Sequence, residues 1–132
     1  MRILLDTQVW LWMLAAPDRL SAQSRKLLSA VENELLFSAA SAWEIAIKHG
    51  LGKLQLPEAP AKYIPRMMVH TSVTPLPIHH RHALHVAELP EHHRDPFDRL
   101  LVAHSEARRV PLCTLDRRIR AEHRLLVKEL RD

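Results

Sequence analysis

Two kinds of hydrophobic pattern alternate along this chain. One is a short, unbroken apolar run, as expected of a strand buried on both faces. The other is a longer stretch in which apolar residues recur every three or four positions, as expected of a helix. Ile3, Leu4 and Leu5 are contiguous and end at Asp6, which predicts a strand over 2–6. Val9 to Leu14 then reads as a helix with Thr7 as its cap. Asp18 to Asn33 reads as one helix, with Leu20, Leu27, Leu28 and Val31 on its inner side. Leu35 to Phe37 predicts a second strand. The helix after it is capped by Ser38 or Ser41, carries Trp43, Ile45, Ala46 and Ile47, and stops at Gly50. Pro57 and Pro60 mark a loop, and a helix follows to about His70. Val73 to Leu76 predicts a third strand, which its prolines assign to a sheet edge. Ile78 to Leu89 reads as a helix. Asp95-Pro96 opens another that runs to about Ala107. Pro111 to Thr114 is a fourth strand and Leu125 to Val127 a fifth. Strands alternating with helices imply βαβ units and a parallel sheet covered on both faces, an α/β fold.

Length and composition narrow the picture. At 132 residues the chain fits one domain, 1–132, and its 47% hydrophobic content is enough for a core without staples. Two glycines, Gly50 and Gly52, exclude a glycine-rich phosphate loop and argue against an all-β design. The single cysteine, Cys113, lies in an apolar run and reads as a buried, inert thiol. With no signal-peptide pattern and no long apolar span, the expectation is a soluble cytoplasmic protein. The net charge is +4, with arginines concentrated at Arg108-Arg109, Arg117-Arg118, Arg120 and Arg124. That pattern fits a solvated helical face and a nucleic-acid groove about equally.

The chemistry lies in the acids. Ligands of an open parallel sheet bind at the carboxyl ends of its strands. Asp6 ends the first strand and Asp116 follows the fourth, so parallel topology brings them to one rim. Glu44 sits between Trp43 and Ile45, and a carboxylate in that apolar stretch needs a reason to be there. Asp98 falls in the first turn of the helix opened by Pro96. Each acid alone has a structural explanation. Asp95 is a good N-cap with Asp98 behind it at the third helical position, Asp116 can cap a helix starting at Arg117, and Glu44 can pair with Lys48. The functional case rests on convergence. Carboxylates packed together repel unless a cation joins them, and a hard divalent ion, Mg²⁺ or Mn²⁺, suits all-oxygen ligands. One or two such ions at Asp6, Glu44, Asp98 and Asp116 would activate water for phosphodiester cleavage.

Four segments then carry a resemblance: ILLDTQVWLW, SAASAWEIAIKHGLGKLQLP, HRDPFDRLLVAHS and PLCTLD. Together, in this order and over nearly the whole chain, they resemble PIN-domain proteins, and among those the VapC-type toxins. The resemblance implies an α/β/α sandwich around a parallel sheet and an Mg²⁺- or Mn²⁺-dependent endoribonuclease. It assigns Asp6, Glu44, Asp98 and Asp116 to the four acidic positions. Asp98 is preferred to Asp95 because it directly precedes the apolar helix. Thr7 and Thr114 match positions where a small hydroxyl residue supports the acids. It also implies an RNA substrate, a homodimer and a small antitoxin partner that often inserts a basic side chain among the carboxylates.

Three competing readings stand beside this one. A PIN-like module could bind RNA or a partner without cutting. A phosphatase or structured-DNA nuclease would also cluster acids. A structural zinc could use the histidines, with His79, His80, His82 and His85 in one predicted helix, where His82 and His85 are spaced to share a face, and His92-His93 just before Asp95, although solvated histidines are the simpler expectation. Arg99 and Arg117 read either as RNA guides or as solvated helix residues. Trp43 is expected in the core. Trp10 and Trp12 cannot share one helix face, so one is expected inside and the other free to meet a partner.

Overall fold

The computed structural model describes residues 1–90 and 95–116. Its sheet contains β1 (Arg2–Leu5), β2 (Glu34–Ser38), β3 (Thr74–Leu76) and β4 (Leu112–Cys113). All pairings are parallel and the order is β3-β2-β1-β4. Ile3 stands opposite Leu35, Leu5 opposite Cys113 and Phe37 opposite Pro75. Pro75, which has no amide to donate, lies on the edge strand as its residue type requires. The helices are α1 (Thr7–Ala15), α2 (Ala22–Ser29), α3 (Ala39–Gly50), α4 (Pro60–His70), α5 (His80–Leu84) and α6 (Pro96–Arg108).

The sheet divides the apolar residues between two cores, because successive strand side chains point to opposite faces. Ile3, Leu5, Leu35 and Phe37 face one side, where Val9 and Trp10 of α1, Leu28 of α2 and Ile64 of α4 meet them. Leu4, Leu36 and Leu112 face the other, against Leu101 of α6 and Val110. Each such side chain adds about 1.5–3 kcal/mol when fully buried, so contiguous apolar residues in β1 are explained by a core on each face. The result is a three-layer α/β/α sandwich with a central parallel sheet. Cys113 is fully buried, and burial, followed by the charge of Asp6, pushes its thiol far above the usual range.

Several local expectations need correction. The stretch 18–33 is not one helix: a 3-10 turn covers Pro17–Arg19, and α2 starts only after Ser21. Ser21 Oγ accepts from the Ser24 amide at 3.0 Å, and this cap resets the helix. Val31 lies beyond its end and is 98% exposed. Thr7 does not cap α1. It is the first helical residue, and Asp6 holds the cap position. The segment 78–89 breaks into α5 and a 3-10 turn, His85–Glu88. Trp43 is half exposed, because the inner stripe of α3 runs through Ala40, Ser41, Glu44 and Ile45. Position 43 then faces outward, with its ring edge-on to Phe97 at 4.7 Å. Of the α1 pair, Trp10 is fully buried, with its indole N–H donating to Thr71 Oγ1 at 3.0 Å. Trp12 is partly covered, under the Arg19 guanidinium. The predicted strand 125–127, His92, His93, Arg117, Arg118, Arg120 and Arg124 lie outside the described residues.

Candidate active site

The site begins with strand pairing. Because Leu5 pairs with Cys113, the residues that follow each strand emerge side by side, and the Asp6 amide donates to the Cys113 carbonyl at 3.0 Å. Thr114 Oγ1 donates to Asp6 Oδ2 at 2.5 Å and accepts from the Asp116 amide at 3.1 Å. One buried hydroxyl thus ties two acidic positions together.

Glu44 arrives from α3. Ser38 caps that helix, its Oγ accepting from the Ala40 amide at 3.0 Å. Thr7 Oγ1 donates to Ser41 Oγ at 2.7 Å in a buried contact that fastens the first turn of α3 to the end of β1. Glu44 lies one turn further along, 9% exposed, and its Oε2 accepts from Lys48 Nζ at 2.5 Å. Asp98 comes from α6, where Asp95 is the N-cap, its Oδ1 accepting from the amides of Phe97 and Asp98 at 2.9 and 3.1 Å.

Asp6, Glu44, Asp95, Asp98 and Asp116 all line one cleft of about 470 Å³. The four acids singled out from sequence are therefore brought together, on a rim formed by the ends of β1 and β4 and the helices α3 and α6. Asp95, expected only as a cap, also faces this cleft. So do Lys48 and Lys53. Lys53 was not singled out from the sequence. It follows the turn through Gly52, whose φ of 73° suits glycine, and its amide donates back to the Lys48 carbonyl at 2.9 Å. A lysine five residues beyond a helical one gives no periodic signal that it shares a site.

Electrostatics mark Asp6. Burial raises its pKa to about 6, and the nearby Glu44 and Asp116 charges push the same way; the Thr114 hydroxyl and, more weakly, the Gln8 amide oppose the rise. Asp6 thus carries a charge that the fold discourages. Lys48 is shifted upward, chiefly by its bond to Glu44, with Asp95 and Asp98 adding to the effect.

These donors suit a hard divalent cation. They are oxygens only, and a buried carboxylate with a raised pKa gains most from one. Among the described residues no three His, Cys, Asp or Glu side chains draw together enough to hold an ion unaided. Mg²⁺ does not require that, since it is commonly held by one or two carboxylates, waters and substrate phosphate.

The histidines behave differently from the solvated set expected. His79 and His80 are exposed, but His82 is fully buried, its Nδ1 accepting from the His79 amide at 2.9 Å. Its ring lies 4.8 Å from that of His104, tilted by 42°; His104 is also fully buried and shares a 2.9 Å hydrogen bond with Ser38 Oγ. The reason is α6, which offers both His104 and Glu106 to α5 and the turn after it. His85 contacts Glu106 at 3.0 Å, so His82 and His85 do face the same element. Arg99, too, is engaged by protein, donating to the carbonyls of Pro90 and Val86.

Known proteins resemble this chain in sequence and in fold. Ribonuclease VapC16 of Mycobacterium tuberculosis is 46% identical over 63 residues, which are 48% of this chain and 45% of that protein. The alignment therefore spans just under half of either. A chain of the VapBC2 crystal structure from Rickettsia felis, bound to a DNA fragment from its promoter, superposes with a TM-score of 0.71 at 16% identity, covering 97% of this chain and 98% of that one. A chain of VapBC-1 from nontypeable Haemophilus influenzae gives a TM-score of 0.59 at 18% identity, covering 93% and 96%. At these identities the two structures speak for the fold. Residues 3–122 match the PIN domain model, and with that match covering nearly the whole sequence, this chain belongs to the PIN domain family.

Proposed function

We propose that this chain is an Mg²⁺- or Mn²⁺-dependent endoribonuclease of the VapC type, the toxin of a toxin–antitoxin pair. The observation that carries the proposal is the acidic cleft, in which buried Asp6 meets Glu44, Asp98 and Asp116 at the carboxyl ends of parallel strands. The identity to a protein named a ribonuclease, and the likeness to two VapBC assemblies, support the same reading.

In this reading Asp6 and Asp98 are direct ligands of the ion. Thr114 fixes one Asp6 oxygen. Glu44 either binds the ion or positions the attacking water, and Asp116 acts at the margin of the site. When bound, the divalent ion supplies positive charge that activates water and neutralises charge building on the scissile phosphate. Asp95 holds the start of α6 so that Asp98 stays aimed into the cleft. The chain's partners are RNA, a VapB-like antitoxin and a second copy of itself, in the cytoplasm. No helix among the described residues is long and apolar enough to cross a membrane.

The test is cleavage of mixed RNA, beside matched DNA, by purified protein with Mn²⁺. Asp98→Asn should lower the rate by about 100-fold or more, the several kcal/mol a metal ion contributes, while the circular dichroism spectrum stays native. Cleavage that persists in Asp98→Asn, or in EDTA, would sink the metal-site assignment.

A further inference from the structure

We infer that Lys48 is a built-in counter-cation of the acidic cleft: its ammonium pairs with Glu44 in the metal-free protein and competes with a divalent ion for that carboxylate. The inference rests on the metal reading proposed above.

Lys48 stands one helical turn after Glu44 on α3, and its Nζ donates to Glu44 Oε2 at 2.5 Å. An ordinary pair at this spacing lies on a solvated helix surface and contributes little. This one does not fit that description. The Glu44 side chain is 11% exposed, against 39% for Lys48. The ammonium therefore reaches inward to a carboxylate that has little water of its own. It is also surrounded from a second element. Asp95 and Asp98, at the start of α6, both act on it electrostatically, and the Phe97 ring between them lies 5.7 Å from Nζ. Lys48 lines the same cleft as the four acids. A single positive charge among Glu44, Asp95 and Asp98 has the role that a metal ion would have there.

Two consequences follow. A carboxylate oxygen that accepts from an ammonium has less electron density to give a metal ion, so the two cations compete for Glu44. A fixed positive charge a few ångströms from the ion also repels it. Both weaken binding of the ion. Lys48 thereby keeps the metal-free fold tolerable and sets the ion concentration at which the site fills.

The experiment is Mn²⁺ titration of the full chain without RNA, by calorimetry and by electron paramagnetic resonance at pH 7.5. Lys48→Gln and Lys48→Met, which retains the aliphatic stem, should bind Mn²⁺ about ten-fold more tightly than wild type. Lys48→Arg, which keeps the charge, should bind close to wild type, and Lys53→Gln should change affinity less than Lys48→Gln. The rise in Tm on adding Mn²⁺ should be larger in the charge-free variants, because their Glu44 lacks a partner until the ion arrives. A helix-surface role would leave Mn²⁺ affinity unmoved. Equal or weaker binding by natively folded Lys48→Gln and Lys48→Met overturns the inference and leaves the metal site standing. No Mn²⁺ binding by wild type or by any variant overturns the metal reading and this inference with it.

Discussion

Two groups of buried ionisable side chains among the described residues are treated in opposite ways. At the carboxyl ends of β1 and β4, Asp6 is buried yet surrounded by means of carrying charge: a hydroxyl from Thr114, an open cleft, and lysines within it. On the other face of the sheet, the rings of His82 and His104 pack against each other beside Arg81 and Arg108, and burial lowers both pKa values, that of His104 to about 4. Those rings stay neutral at ordinary pH and act as polar core. A buried group with a shifted pKa is thus not by itself a sign of chemistry. What separates the two regions is access and the supply of a counter-charge.

This contrast can be broken most directly by pH. Asp6 has a folded pKa above its usual 3.8, so its contribution to stability is full below pH 3.8 and lost as pH rises through about 6. His104 has a folded pKa below its usual 6.5, so its contribution is present above pH 6.5 and lost as pH falls towards about 4. Each amounts to at most about 3 kcal/mol at 1.36 kcal/mol per pH unit of displacement. In metal-free protein, Asp6→Asn should therefore be more stable than wild type at pH 7.5, with the gain vanishing near pH 4. His104→Gln should lose least against wild type near pH 4 and most at pH 7. Urea melts across this range would show the opposite slopes; parallel slopes would mean the two regions do not differ as described.

A smaller effect sharpens the acidic side. Thr114→Val keeps shape but removes the hydroxyl shared by Asp6 and Asp116. Mn²⁺ affinity should fall about ten-fold, as is usual for losing a group that orients a ligand, and calorimetry would measure it. The smallest effect concerns the link between the regions. Ser38 both caps α3 and bonds His104, so Ser38→Ala should cost about 1 kcal/mol in thermal melts while Mn²⁺ affinity stays near wild type.

Much of this arrangement was legible in the residues. The contiguous Ile3-Leu4-Leu5 and Leu35-Leu36-Phe37 runs announce a parallel sheet covered on both faces, because only two-sided burial favours three apolar residues in a row. That sheet, once inferred, places Asp6 and Asp116 together. Glu44 stood out because charge in an apolar stretch is costly. Other features depend on tertiary partners that no local pattern encodes. Trp43 looks like core until Glu44 and Ile45 are known to take the inner stripe. His82 looks solvated until α6 brings His104 against it. Ser21 resets a helix that periodicity alone would run through from Asp18. Asp95 has the sequence signature of a cap and is one, but only the fold shows that the same residue also lines the cleft.

The bond from Thr114 to Asp6 joins residues 108 positions apart. Parallel pairing between such distant segments is slow to form, since the long intervening loop must close first. The cleft therefore cannot exist on a partly synthesised chain. While the ribosome is still making the first hundred residues, β4 is absent, Asp6 has neither its hydroxyl nor its neighbour Asp116, and the acids are scattered along an incomplete sheet. Any fragment ending before Thr114 lacks this bond for the same reason, so the cleft is completed only once β4 has joined the sheet.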